Sequence, residues 1–185
     1  AIYSLVRSHF AYKAKLRKEA LKEEVNSTVS KLRKATDTRE ALALFREHSR
    51  EELQSDLDFT AEVFGKAVNG FMNENLRELR KVLTAVEEKK IHLKQVKRVG
   101  TLGVTQLDHD IAVGKGLYYY QGNDFASEIM FSIRRLAEPM KDHIDNNFSP
   151  LSPVQKDDFG KVSEQIISFL RNCAIMIRKN DYIGF

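Results

Sequence analysis

Apolar side chains recur every three or four positions through most of the chain, and strand-type alternation is nowhere sustained. The clearest stripe lies between Leu117 and Gln155. It consists of Phe125, Ile129, Ile133, Leu136, Met140 and Ile144. This spacing places the six side chains on one face of an amphipathic helix, which needs partner helices to bury that face. We therefore predict an all-α fold.

Polar clusters, glycines and prolines divide the pattern into separate helices. The predicted helices span approximately residues 4–34, 38–53, 55–71, 76–98, 105–146 and 152–180. Gly100 and Gly103 mark a predicted break, and Pro139 is expected to kink the helix that contains it. Because the connections are short, consecutive helices should be antiparallel. The predicted architecture is an elongated antiparallel up-and-down bundle of five to six helices.

The length of 185 residues suits a single helical-bundle domain, 1–185. Its 9 Gly and 3 Pro are few, and charged residues make up 30% against 42% hydrophobic, which is typical of amphipathic helices. Residues 76–180 contain the best-defined long helices. No run of 18 apolar residues and no signal peptide is present, and the sequence begins at Ala1 without Met. We treat it as a possible piece of a longer protein that contains membrane segments.

The net charge of +4 is distributed in alternating bands. Residues 1–36 carry nine Lys or Arg against three acids, residues 37–75 four against nine, and residues 76–98 eight against three. Acidic segments that interrupt the basic ones do not favour nucleic-acid binding. The basic first helix, 1–35, is either a solvated face or a segment close to anionic lipid headgroups.

The sequence contains no phosphate-binding loop, no dinucleotide fingerprint and no hydrolase or zinc-protease motif, so we expect no enzyme and no organic cofactor. Helical bundles do build metal sites from carboxylates and histidines on facing helices. The candidate ligands for a divalent cation or iron are Asp124, Glu128, Asp142 and His143. Helix capping and a solvated face explain the same residues, and the Glu-x-x-His pairs of di-iron bundles are absent.

Two further segments are candidates for contacts with other molecules. Tyr118, Tyr119 and Tyr120 are about 100° apart on a helix, so at least one should face solvent or a partner such as a second copy of the chain. The turn Asp145, Asn146 and Asn147 is a helix-ending motif and also a candidate contact site. Cys173, the single cysteine, fits a reduced core position.

The last 80 or so residues resemble the cytosolic PhoU-like domain that follows the membrane region in bacterial inorganic phosphate transporters of the Pit type. The matching features are a tyrosine-bearing helix, a proline, an HxDNN-like turn, a Leu-Ser pair and a closing amphipathic helix. In this sequence they are Tyr118 to Tyr120, Pro139, His143 to Asn147, Leu151-Ser152 and Val162 to Ile177. Residues 1–98 match only as charged helical hairpins.

The resemblance implies a regulatory or scaffolding domain on the cytoplasmic side of a phosphate permease. Its expected partner is the membrane portion, in the same polypeptide, with a homodimer as a further expectation and no nucleic acid. Its expected location is the inner face of the bacterial membrane, with the basic first helix closest to it. PhoU proteins that bind metal clusters carry repeated E/DxxxD motifs on two bundles. The counterpart identified in this sequence is the single pair Asp124 and Glu128, which departs from the motif by ending in Glu. The alternatives are a free-standing PhoU-like regulator of phosphate uptake and a metal-binding helical-bundle enzyme.

Overall fold

The computed structural model describes residues 25–179 together with residues 15, 16, 19, 20 and 23. Within these residues helix α1 covers 25–34, and no β-strand occurs. The following elements are α2 (Thr38–Met72), α3 (Leu76–Thr105), the single turn α4 (His109–Ile111), a π-helical segment (Ala112–Gly116), α5 (Leu117–Asp145) and α6 (Pro153–Lys179). The prediction of an all-α fold is confirmed, with five helices of ten residues or more in the described part.

Helix α2 runs without interruption for 35 residues, so the predicted division near Ser55 and Asp56 is wrong. Of the two polar residues at the predicted division, Ser55 is exposed and Asp56 faces α3. Asp56 forms an ion pair with Lys89, and the Thr60 hydroxyl donates a hydrogen bond to the carbonyl of Asp56. At its start the helix is capped by Asp37, whose carboxylate accepts from the amide of Glu40.

Helix α3 likewise continues through Gly100 and Gly103, where the sequence predicted a break. The reason is close packing. A Cβ at position 103 would lie 2.5 Å from the ring of Phe45, and one at position 100 would lie 3.1 Å from the ring of Tyr120. These glycines remove side chains where α2 and α5 approach α3, and they keep helical geometry while doing so.

The long helix predicted over 105–146 is present as α4, the π-helical segment and α5. Pro139 lies inside α5. The helix ends at a turn in which Asn147 adopts a positive φ of 53°, a conformation that asparagine tolerates well. Helix α6 then begins with a reciprocal cap: Ser152 and Gln155 each accept a hydrogen bond from the other's backbone amide.

The apolar core lies in three clusters along α2. The largest joins α2, α3 and α5 and includes Val63, Phe64, Leu79, Val82, Val86, Met130, Ile133 and Met140. A second, around Phe45, joins α2 to α1 and to the end of α3. The third is small and joins α6 to α2 through Leu57, Ala61, Leu170 and Ala174. Helix α2 is therefore the element on which the described helices pack.

The apolar stripe predicted for α5 is only partly buried. Ile133 and Met140 belong to the core, but Phe125 is 65% exposed, and Ile129 and Leu136 are also exposed. The buried face is centred instead on small and flexible residues, namely Ala126, Ser127, Met130 and Ala137. The prediction that this stripe is sufficiently explained by core packing is therefore wrong, because small side chains bring α5 close to α2 and α3 and leave larger ones outside.

In helix α6 the buried face likewise differs from the predicted stripe. Val162, Ile166 and Phe169 of the predicted stripe are exposed, whereas Ser163, Leu170 and Ala174 are buried. Cys173 and Ile177 are partly buried against α2, as the sequence predicted for Cys173.

The predicted basic first helix falls only partly within the described residues. Val25 and Leu32 are buried as predicted, while Leu5, Phe10, Ala14 and Leu21 lie outside the described residues. Across the part of the chain that the structure covers, no helix combines the length and apolar character needed to cross a membrane.

Candidate functional site

A cluster of four charged or titratable side chains lies between α2 and α3, inside the bundle. Glu52 and Asp56 are four residues apart on α2, so both project from the same face of that helix. Lys89 and His92 are three residues apart on α3 and project toward them. Both spacings are close to one helical turn, so each acid faces one base.

Two short contacts pair these groups. Nε2 of His92 lies 2.6 Å from Oε2 of Glu52, and Nζ of Lys89 lies 2.7 Å from Oδ1 of Asp56. Asp56 is only 1% exposed, and the other three side chains are largely buried. The Lys89 ammonium also lies 5.7 Å from the ring centre of Phe59, a cation–π contact. The cluster is thus a buried network in which opposite charges face each other.

The pKa values of the two carboxyl groups are shifted in opposite directions. Burial acts to raise the pKa of Glu52, but the hydrogen bond and charge of His92 outweigh it, so that the pKa lies below its ordinary value. At Asp56 burial is the stronger effect and raises the pKa despite the attraction of Lys89. Within one network, therefore, the fold favours the ionised form of Glu52 and disfavours that of Asp56.

Some polar atoms of the cluster have no hydrogen-bond partner among the described residues. Among the described residues, Oδ2 of Asp56 and Nδ1 of His92 are buried without a hydrogen-bond partner. One ligand atom from each of Glu52, Asp56 and His92 lies within 4.8 Å of the others, and no other such group of three occurs in the described part of the chain. Two carboxylates and an imidazole suit Zn²⁺, Fe²⁺ or Mn²⁺. Lys89 already places a positive charge beside Asp56, so the cluster can also act as a structural ion-pair network.

The metal ligands predicted from the sequence are not brought together by the fold. Asp124 and Asp142 are eighteen residues apart on the same helix, which separates them by about 27 Å along its axis. Asp124 pairs with Lys97, and Glu128 lies 3.3 Å from Arg135. Each has a cationic neighbour on the surface of the bundle.

The other two predicted ligands belong to the end of α5. Asp142 lies 2.5 Å from Lys141. His143 is held by Nε2, which donates to the carbonyl of Ser149 at 3.0 Å, and its ring packs edge-on against Phe71 and Phe148. These contacts close the turn between α5 and α6.

The three tyrosines have different environments. Tyr118 is 71% exposed. Tyr119 packs edge-on against Phe45 with ring centres 6.0 Å apart, and Tyr120 lies against Gly100. Tyr118 is therefore the tyrosine of the three whose side chain is most accessible to a partner.

The turn residues predicted as a contact site have local structural partners. Asp145 lies 3.4 Å from Arg80 and 3.2 Å from Lys141. Asn146 caps α5, with its side-chain amide donating to the carbonyl of Asp142, and Asn147 carries the positive φ. The turn therefore links the end of α5 to the start of α3.

Sequence reasoning missed the cluster of Glu52, Asp56, Lys89 and His92. A usable signal was present, because Glu52 and Asp56 share the spacing of four and both lie next to apolar helix positions. The polar run at Ser55 and Asp56 instead favours a helix start at this point. Lys89 and His92 face these two acids because of how α3 packs on α2. The helical period of the sequence does not specify that packing.

Comparisons with protein-family models, with curated proteins and with solved structures returned no match for this chain.

Proposed function

We propose that this chain is a regulatory or scaffolding domain of an inorganic phosphate transporter, located at the cytoplasmic face of a bacterial membrane, which modulates transport through protein contacts. The resemblance of the segment from Tyr118 to Gln155 to Pit-type PhoU-like domains is one support. The observation that carries the proposal is the exposed apolar stripe on α5, formed by Tyr118, Phe125, Ile129 and Leu136.

The stripe supports a contact role because its members share one helix face. Spacings of seven, four and seven residues place them along about 27 Å of that face. Exposed apolar side chains scattered singly need no explanation, but several large ones aligned on one face are typical of a surface that another protein covers. The proposed partner is the membrane portion of the permease in the same polypeptide, and a second copy of the chain is the alternative partner.

The finer architecture that we propose is an antiparallel, PhoU-like bundle. Gly70, near the end of α2, lies beside Leu79, near the start of α3. Gly103, near the end of α3, lies beside Phe45, near the start of α2. These two contacts support a hairpin in which α3 returns along α2.

The buried cluster supports binding or structure rather than catalysis. Glu52 faces His92 and Asp56 faces Lys89, so each charge is matched inside the bundle. We therefore propose that the chain is not an enzyme.

The experiment is co-purification of the tagged chain with the membrane portion encoded upstream of it. The proposal expects the wild-type chain to retain that partner and the variant Phe125→Ser, Ile129→Ser to lose most of it. Val154→Ser is the matched control, because Val154 is an exposed apolar residue of α6 outside the stripe. A reading frame that opens with Met just before Ala1 would favour the alternative, a free-standing PhoU-like regulator.

A second candidate function, a metal-binding bundle, is favoured by one specific observation. Glu52 and Asp56 have the ExxxD spacing of the metal-binding PhoU motif, and with His92 they place three ligand atoms, two carboxylate oxygens and one imidazole nitrogen, within 4.8 Å of one another. Metal binding would require Lys89 to move away from Asp56. Titration with Zn²⁺, Mn²⁺ and Fe²⁺ should then raise the melting temperature of the wild type but not of His92→Ala. No metal-dependent rise in the wild type would eliminate this candidate.

A further inference from the structure

A small polar cavity lies where α2, α3 and α5 meet, one helical turn from the Glu52 pair. Its lining includes Ser49 of α2, Gly100 of α3, and Tyr120, Asn123 and Ser127 of α5. About 10 Å³ is open to the centre of a water-sized molecule, which is close to the space that one water needs. The cavity is too small for a larger ligand.

Oγ of Ser49 and Oδ1 of Asn123, both on residues that line this cavity, lack a hydrogen-bond partner among the described residues. Ser49 is only 2% exposed. A serine within a helix commonly donates to the carbonyl four residues earlier, as Ser127 does to Asn123 and Ser163 does to Phe159. Ser49 has no such bond, which leaves its hydroxyl buried and unsatisfied. The cost of that arrangement favours a bound polar molecule.

The orientation of Asn123 is fixed by its other side-chain atom. Its Nδ2 donates to the carbonyl of Tyr119 at 3.1 Å, within α5. The acceptor Oδ1 is thereby held without a protein donor, on a residue that lines the same cavity as Ser49. A water molecule both donates and accepts hydrogen bonds, so it can accept one from the Ser49 hydroxyl and donate one to Oδ1 of Asn123.

We propose that α2 and α5 are bridged by one buried structural water, bound between Oγ of Ser49 and Oδ1 of Asn123. The remaining lining residues are His48, Val96, and the ion pair of Lys97 with Asp124. Gly100 contributes by lacking a side chain: a Cβ there would lie 3.1 Å from Tyr120, whose ring also lines the cavity. The proposal does not depend on the partner of the domain or on metal binding.

The test is a crystal structure of the chain at a resolution of about 1.8 Å or better. We expect a density peak within about 3.2 Å of both Ser49 Oγ and Asn123 Oδ1. An empty cavity, or a side-chain movement that makes Ser49 and Asn123 bond each other directly, would overturn the proposal. In solution, a long-lived water should give cross-relaxation signals to the side-chain amide protons of Asn123, and their absence would count equally against it.

A variant pair separates a bridging water from one that merely fills space. Ser49→Ala removes one of the two partners, and we expect the peak to vanish or to move out of reach of position 49. Ser163→Ala is the matched control, because Ser163 is equally buried but bonds its own helix and lies on α6. It should leave the peak in place. A peak with unchanged position and occupancy in Ser49→Ala would refute the bridge.

Discussion

Glu52 and Asp56 are one helical turn apart, yet the fold treats their charges differently. Each has a base on α3, but only at Glu52 does the partner outweigh the cost of burial. Replacing one member of a buried pair leaves the other charge without compensation, which usually costs more than the pair itself contributes. The residues of this cluster are therefore expected to dominate the mutational sensitivity of the bundle.

The first prediction concerns Asp56. Asp56→Asn strands the Lys89 ammonium and should lower the free energy of unfolding by about 3–5 kcal/mol, measured by urea denaturation. Asp58→Asn is the control on the same helix. Its carboxylate lies 3.5 Å from Arg178 with both side chains well exposed, so the change should cost less than about 1 kcal/mol. Adding Lys89→Met to Asp56→Asn should restore most of the stability, since it removes the stranded charge. Failure of that rescue would argue against a charge effect.

The second prediction concerns pH. Because the pKa of Glu52 is lowered in the folded state, its contribution is present above its unfolded value of about 4.5 and is lost as the pH falls through the folded value. The raised pKa of Asp56 acts with the opposite sign, since its folded form binds a proton more readily as the pH falls. As the pH falls below about 4.5, Glu52→Gln should flatten the acid decline in stability. Asp56→Asn should steepen the decline in a different range, between the raised folded pKa of Asp56 and its ordinary value of about 3.8. Parallel curves for both variants and the wild type would contradict these pKa directions.

At the scale of helices, the sequence predicted the number and type of elements better than their faces. Leu79, Val86 and Leu93 of α3 are buried as their spacing indicates. For α5 and α6 the same reasoning chose the larger apolar residues, but the bundle buries Ala126, Ala137 and Ala174 and leaves Phe125 outside. Periodicity locates an apolar arc on a helix, while the closeness of approach decides which part of that arc is covered. Closeness depends on small residues of both helices in a contact, such as Ala126 of α5 and Gly100 of α3, and the pattern of one helix does not show which residues face each other.

The third prediction concerns two glycines whose surroundings differ. Gly103→Ala would place a Cβ 2.5 Å from Phe45, so α2 and α3 must separate, and we expect a loss of roughly 1–3 kcal/mol in unfolding free energy. Gly160→Ala, on the open side of α6, meets nothing within 4 Å and should instead gain up to about 1 kcal/mol from helix propensity. The two substitutions are chemically identical, and both can be measured by denaturation. The same sign for both would contradict the packing described around Gly103.

In the whole molecule, the inner faces of the helices are covered by one another, but an apolar outer face of α5 is exposed. The inner faces of α2, α3 and α5 are held by a large apolar core and a matched set of buried charges. The outer face of α5 carries Phe125 and Ile129 where a soluble helix would carry polar residues. We propose that the membrane portion of a phosphate permease covers that face.

The most direct measurement of the central proposal is phosphate uptake by cells that express the complete reading frame containing this chain. Phe125→Ser, Ile129→Ser should change the uptake rate several-fold at unchanged protein level, because the stripe would no longer bind the permease. Val154→Ser should leave the rate at the wild-type value. Equal uptake by the wild type and both variants, at equal levels of folded protein, would contradict a regulatory role for this surface.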